Sequence, residues 1–65
     1  MNLKLKRISM GLTQEQLRKR AKVGLNTIVA LEKGKIDGVR VGTLKKIADA
    51  LNTTVVELFF SKEVK

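Results

Sequence analysis

Between Gly11 and Gly42 no glycine-free run is longer than twelve residues. Proline is absent, so glycine alone sets the strong breaks in the chain. Any helix in this stretch is limited to about three turns. Isolated helices shorter than ~12–15 residues are marginal in water. The chain must therefore fold as several short helices that bury apolar faces against one another. Sixty-five residues leave room for one such core. Ile, Leu, Val and Phe supply 22 of the 65, well above the ~20% below which a highly charged chain stays disordered. A core this small rarely supplies more than ~3–5 kcal/mol, so a dimer contact would help.

The breaks and caps predict five helices and no strand. The first runs from Asn2, a capping residue, to Met10, with Gly11 at its end. The second covers 14–21 behind Thr13-Gln14-Glu15-Gln16, a capping box in which the Thr13 hydroxyl takes the Gln16 amide and the Gln16 side chain reaches back. Leu17 and Ala21 lie one turn apart on its inner face. Val23-Gly24 makes a tight break, and the third helix follows from about Leu25 to Lys33, closed by Gly34 as a left-handed cap. Residues 35–40 read as a loop. In the fourth helix Val41, Leu44, Ile47, Ala48 and Leu51 form one apolar stripe, assigned to the core, with Asn52 as its stop. Thr54-Val55-Val56-Glu57 is a second capping box, opening a short fifth helix through Leu58, Phe59 and Phe60. Residues 1–60 are expected to be the domain and 61–65 a frayed tail.

The charge is one-sided. Fourteen Lys and Arg face six Asp and Glu, a net +8 with a pI near 10.4. Residues 1–35 hold nine basic and two acidic side chains, net +7, whereas 36–65 hold five and four, net +1. Such a concentration points to a polyanionic partner. Histidine and cysteine are absent, which removes the commonest general base, disulfides and the commonest metal ligands. With six carboxylates and neither of those residues, the chain reads as no enzyme, with no metal and no cofactor. It has no Gly-x-x-x-x-Gly-Lys-Ser/Thr phosphate cradle, and Gly34, Gly38 and Gly42 keep GxxxG spacing only in a polar loop. No membrane association is expected: no stretch approaches ~18 apolar residues, and the basic first helix lacks Trp or Phe anchors. Residues 1–10 interleave charge with apolar residues, unlike a signal peptide. Asn52-Thr53-Thr54 then fits a glycosylation acceptor only by chance, and a cytoplasmic protein is expected.

Two short helices around a tight turn in a basic domain already point to a helix-turn-helix. The residues go further. Lys6-Arg7-Ile8-x-x-Gly11-Leu12-Thr13-Gln14-Glu15-x-Leu17 is followed by Val23, Thr27-Ile28, Leu31-Glu32-x-Gly34-Lys35 and Thr43-Leu44-x-x-Ile47-Ala48-x-Ala50-Leu51. Together they closely resemble the Cro and repressor proteins of lambdoid phages, the XRE-type helix-turn-helix family, over residues 3–59. The pairing of Gly-Leu-Thr-Gln with a later Leu-Glu-x-Gly-Lys is far more specific than helical periodicity alone. The resemblance implies an all-α, compact five-helix, lambda-repressor-like DNA-binding domain.

It also implies roles. Gln14, opening the second helix, would sit beside the DNA backbone, where the helix N-terminus offers amides to a phosphate; otherwise it is only a good N-terminal helix residue. The third helix would enter the major groove. With Ile28 and Leu31 inward, Asn26, Val29, Ala30 and Lys33 turn outward and Leu25 and Thr27 fall at the edges. Asn26 can pair with a base edge, bidentately with adenine, whereas Leu25, Val29 and Ala30 offer only apolar contact, for instance to thymine methyl groups. Lys35 and Arg40 would meet phosphates or the minor groove, Lys33 at the end of the recognition helix would take a phosphate or balance the helix dipole, and Lys6 is also within reach of backbone. Arg18, Lys19, Arg20 and Lys22 form a dense patch, with Lys19 assigned to solvent. The resemblance pairs Arg7 with Glu32 in a structural salt bridge.

Three positions depart from the family pattern. Arg18 stands where a small Ala is usual, Lys22 where Gly is usual in the turn, and the loop after the third helix is about one residue longer, with Gly38 where proline is frequent. The expected function is a transcriptional regulator, a phage-type or bacterial repressor binding a near-palindromic operator in double-stranded DNA as a homodimer. Phe59, Phe60 and Val64 supply the candidate dimer surface, with the core as the stronger place for Phe59. The rival is a protein-interaction module of the same fold, an antitoxin or antirepressor-type partner using the apolar third-helix face.

Overall fold

A computed structural model describes residues 3–60 as five helical elements, with no strand among them. They are α1 (Leu3–Ser9), α2 (Gln14–Ala21), α3 (Leu25–Glu32), α4 (Val41–Ala50) and α5 (Val56–Phe60). No helix among these residues is long and apolar enough to cross a membrane. The expected cap at Asn2, the tail 61–65 and Val64 lie outside the described residues.

Each boundary has a local cause. The capping box at Thr13 is present in both directions. Gln16 N donates to Thr13 Oγ1 at 3.0 Å, and Thr13 N donates to Gln16 Oε1 at 2.8 Å. Three helices end in the same left-handed motif, at Gly11, Gly34 and Asn52. At α3 the Gly34 amide donates to Leu31 O at 3.0 Å and the Lys35 amide to Ala30 O at 3.0 Å, which satisfies carbonyls that the helix leaves open. The helix stops at Glu32, one residue before the expected end, because Lys33 (φ −90°, ψ 3°) already belongs to this closing turn.

α2 is a fourth case, with a lysine at the left-handed position and the Val23 amide donating to Arg18 O at 3.3 Å. Lys22 itself is left-handed, at φ 59° and ψ 48°, and its amide donates to Arg18 O at 2.8 Å. A side chain with a Cβ pays about 1–2 kcal/mol in this region. Glycine escapes that cost but loses about 0.5–1 kcal/mol to the freedom of the unfolded chain. Lys22 is exposed, so its removal breaks no packing. Lys22→Gly is therefore expected to stabilise the fold by about 0.5–1 kcal/mol, raising Tm by roughly 2–8 °C in a domain of this size. A melt showing a lower Tm than wild type would contradict this.

The core gathers Leu3, Leu17, Ala21, Ile28, Leu31, Leu44, Ile47, Ala48, Leu51, Leu58 and Phe59. α2 packs against both α3 and α4, and α1 against α3 and α5. The stripe of α4 is buried from Leu44 onward, but Val41 is 73% exposed and is not core. It is the first residue of the helix and packs against none of the core. The loop is more than a connector, since Ile36 and Val39 pack against the core and pin it at two points.

The expected short fifth helix is present, but its turns are wider than α. Val56–Phe60 is a π-helical turn. Glu57 N donates to Thr54 Oγ1 at 3.1 Å, but the Glu57 carboxylate accepts from Thr53 Oγ1 at 3.1 Å instead of reaching back to the Thr54 amide. The box is thus half closed. Leu58 and Phe59 are buried, while Val56 and Phe60 are 64% and 55% exposed. Phe59 is therefore a core residue and is withdrawn from the expected dimer surface.

Candidate nucleic-acid interface

The helix-turn-helix consists of α2, the turn at Lys22-Val23-Gly24 and α3. Ile28 and Leu31 are fully buried and fix which side of α3 faces the core. The other side carries exposed Asn26, and exposed Lys33 follows in the closing turn. Leu25 is 38% exposed. Thr27, Val29 and Ala30 are half-buried, so Val29 and Ala30 project less than the 100° spacing predicts. Neither belongs to the apolar side chains packed against the core cluster. The outer face of α3 and its closing turn thus present one amide, one ammonium and a thin apolar strip.

The start of α3 is open. Gly24 precedes it in an extended conformation and has no side chain to cap it. The first helical amides, other than that of Thr27, which turns to Gly24 O at 3.1 Å, are left for an outside acceptor. Beyond the other end, Lys33 and Lys35 flank Gly34 and both are exposed. Arg40 is exposed at the start of α4, across the loop that Ile36 and Val39 anchor.

Below this face lies a polar network joining three helices. Arg7 Nε donates to Glu32 Oε2 at 2.6 Å, and Arg7 Nη2 reaches Glu32 Oε1 at 3.4 Å. Arg7 Nη1 donates to Leu12 O at 2.7 Å, tying in the turn between α1 and α2. The two charged side chains are only 11% and 6% exposed. Gln14 joins them, its Nε2 donating to Glu32 Oε1 at 3.0 Å. Spacing does not reveal this last contact, because Gln14 and Glu32 are 18 residues apart and glutamine pairs with many groups. Burial alone would push the Glu32 carboxyl up. Hydrogen bonds from Arg7 and Gln14, with the positive charges of Arg7 and Lys4, outweigh burial and hold it below the ordinary carboxylate range. Among the described residues no buried side-chain polar atom lacks a hydrogen-bond partner.

Arg18 resolves the first departure. Its guanidinium turns along α2 to Glu15, with Arg18 Nε donating to Glu15 Oε1 at 3.1 Å and a second bond from Nη2 to Oε2. The side chain is 34% exposed. Its length is carried outward along the helix surface and is not pushed between α2 and α3. Lys19 and Arg20 are exposed on α2, Lys22 is exposed just after it, and Lys6 is half-exposed on α1.

The family model described as helix-turn-helix matches residues 3–58, nearly all of the chain. The chain belongs to the XRE-type helix-turn-helix family. No curated protein and no solved structure matches it. Membership makes it a DNA-binding helix-turn-helix regulator, in a regulatory family that is typically non-enzymatic. The match spans α1 through Leu58, so it includes the Arg7–Glu32–Gln14 network as well as the two helices that give the motif its name.

Proposed function

We propose that this helix-turn-helix protein is a cytoplasmic, phage-type or bacterial repressor that binds a near-palindromic operator as a homodimer and occludes a promoter. The observation that carries the proposal is the division of α3. Ile28 and Leu31 are buried on one side, Asn26 is exposed on the other, and exposed Lys33 follows in the closing turn. That is the division a helix needs to dock on its own core and lie in the major groove. Half-sites would then lie about one helical turn apart. Asn26 reads a base edge, and Leu25, Val29 and Ala30 supply apolar contact, with Thr27 at the margin. Gln14, Lys33, Lys35 and Arg40 hold phosphates, a sequence-independent contribution. One hydrogen-bonding base reader per helix leaves much of the discrimination to DNA shape. Val56 and Phe60, at the two ends of α5, are apolar and exposed, which supports a dimer contact there.

Exposed Leu25 beside half-exposed Val29 and Ala30 favours a second reading, a protein partner on the α3 face in place of DNA. Two substitutions separate the roles. Asn26→Ala should cost about 1–3 kcal/mol on the preferred duplex and relax preference at one base pair. Lys35→Ala should weaken all sequences alike and make the salt dependence shallower by about one contact. Competition binding with preferred and scrambled duplexes reads both. Equal effects of the two substitutions on both duplexes would refute the assignment of Asn26.

A further inference from the structure

We infer that Glu32 is a positioning residue for DNA-backbone binding and acts through Gln14. The inference rests on the placement of Gln14 against a phosphate proposed above. Gln14 Nε2 carries two N–H groups. One donates to Glu32 Oε1 at 3.0 Å. That bond stops the terminal amide from rotating and leaves the second N–H directed away from Glu32, at the start of α2. The neighbouring donors there are already divided. Gln16 N is taken by Thr13 Oγ1 and Leu17 N by Thr13 O, at 3.0 and 2.9 Å. The amides of Gln14 and Glu15 have no partner within the helix. Together with the fixed side-chain N–H they make a small set of donors whose geometry Glu32 controls.

The charges explain why an arginine completes the arrangement. A carboxylate acceptor polarises the Gln14 amide and strengthens its second N–H as a donor. A bare carboxylate at this place would also repel a phosphate. Arg7 neutralises it through its short bond to Oε2 at 2.6 Å and its bond to Leu12 O, while on Oε1, the oxygen that Gln14 uses at 3.0 Å, it keeps only a long contact at 3.4 Å. Glu32 is the last residue of α3, so the network also sets the base-reading helix and the phosphate-binding end of α2 in one register. Stability alone would need only the Arg7 side of this carboxylate. The Gln14 side bears on DNA.

The test is a double-substitution cycle on a duplex that the wild-type protein selects from a random-sequence pool. Glu32→Asp keeps the charge for Arg7 and retracts the oxygen from Gln14. Affinities are read for wild type, Gln14→Ala, Glu32→Asp and the double variant, at a temperature where circular dichroism shows each one folded. Each single substitution should weaken binding by about tenfold, the scale of one charge-assisted hydrogen bond. The double variant should lose the same tenfold and not the hundredfold of independent effects. The paired NH2 proton signals of Gln14 should also move closer together in Glu32→Asp. If Glu32→Asp fails to fold, Glu32→Gln is read alone: its neutral, weaker acceptor should bring the Gln14 NH2 proton signals closer together and weaken binding less than Gln14→Ala does, and unchanged Gln14 signals would overturn the inference. Multiplying losses in the double variant would overturn the inference, as would wild-type affinity in Gln14→Ala; both leave DNA binding intact. Selection of no duplex at all would instead overturn the proposed function, and the inference with it.

Discussion

Arg7→Ala is expected to destabilise the protein by about 3 kcal/mol, the low end of what removing one partner of a buried ion pair costs. The size follows from burial. The Arg7 and Glu32 side chains are 11% and 6% exposed, so the abandoned carboxylate would have little water to replace its partner. At about 4–8 °C per kcal/mol for a domain of this length, Tm should fall by on the order of 15 °C. A core worth ~3–5 kcal/mol then leaves much of the variant unfolded at body temperature. Two companions define the cause. Arg18→Ala breaks the exposed pair with Glu15 and should hardly move Tm. Arg7→Met with Glu32→Leu removes both charges and should recover part of the loss.

The same pair predicts the acid response. The Glu32 carboxyl lies lower in the folded protein than in the unfolded chain. Its contribution is present above the ordinary carboxylate range and is lost as pH falls through the folded value. Wild type should therefore lose stability on acidification below about pH 4.5, and Glu32→Gln, already weaker at neutral pH, should lose less over the same interval. Glu15 is also held low, by its hydrogen bond from Arg18, but it is exposed and screened by solvent. An Arg7→Ala protein that melts with wild type would mean that the pair is solvated and that other contacts set α1 against α3.

Leu31→Ala should destabilise by about 3 kcal/mol, within the 2–5 kcal/mol typical of truncating a fully buried leucine. Leu31 is 0% exposed, sits next to Glu32 and helps decide which face of α3 meets the core. Its loss leaves a cavity under the helix that reads bases, so DNA affinity should fall along with stability. Val41→Ala is the informative contrast. Val41 continues the same kind of apolar pattern in sequence, yet it is 73% exposed, and its truncation should change Tm by no more than ~0.5 kcal/mol would. Thermal melts of the two variants side by side measure the difference. Equal destabilisation would contradict the burial assigned to both.

Much of the fold was legible because its boundaries depend on local chemistry. Thr13 with Gln16, Gly34 after α3 and Asn52 after α4 each satisfy backbone groups within a few residues of themselves. Features decided at longer range were not legible. Val41 fits the stripe of α4 by period, but period says nothing of whether a neighbour extends far enough to cover it. Glu57 matches a capping box by spacing, but its carboxylate found the Thr53 hydroxyl, and the last turn widened. Lys22 as a left-handed residue could be located only as a departure from a family that prefers glycine there. In the candidate interface, the pairing of Arg7 with Glu32 followed from resemblance and not from periodicity. The Gln14–Glu32 bond had no sequence signal, since it depends on how α2 and α3 cross.

DNA binding by this face is tested most directly by titrating the wild-type protein with a selected duplex and a scrambled one at two salt concentrations. A regulator built on Asn26 and a set of phosphate-binding cations should prefer the selected duplex at both salts. Its affinity for either duplex should fall steeply as salt rises, with a slope close to one unit for each phosphate neutralised. Equal affinity for the two duplexes, or binding that does not respond to salt, would contradict it.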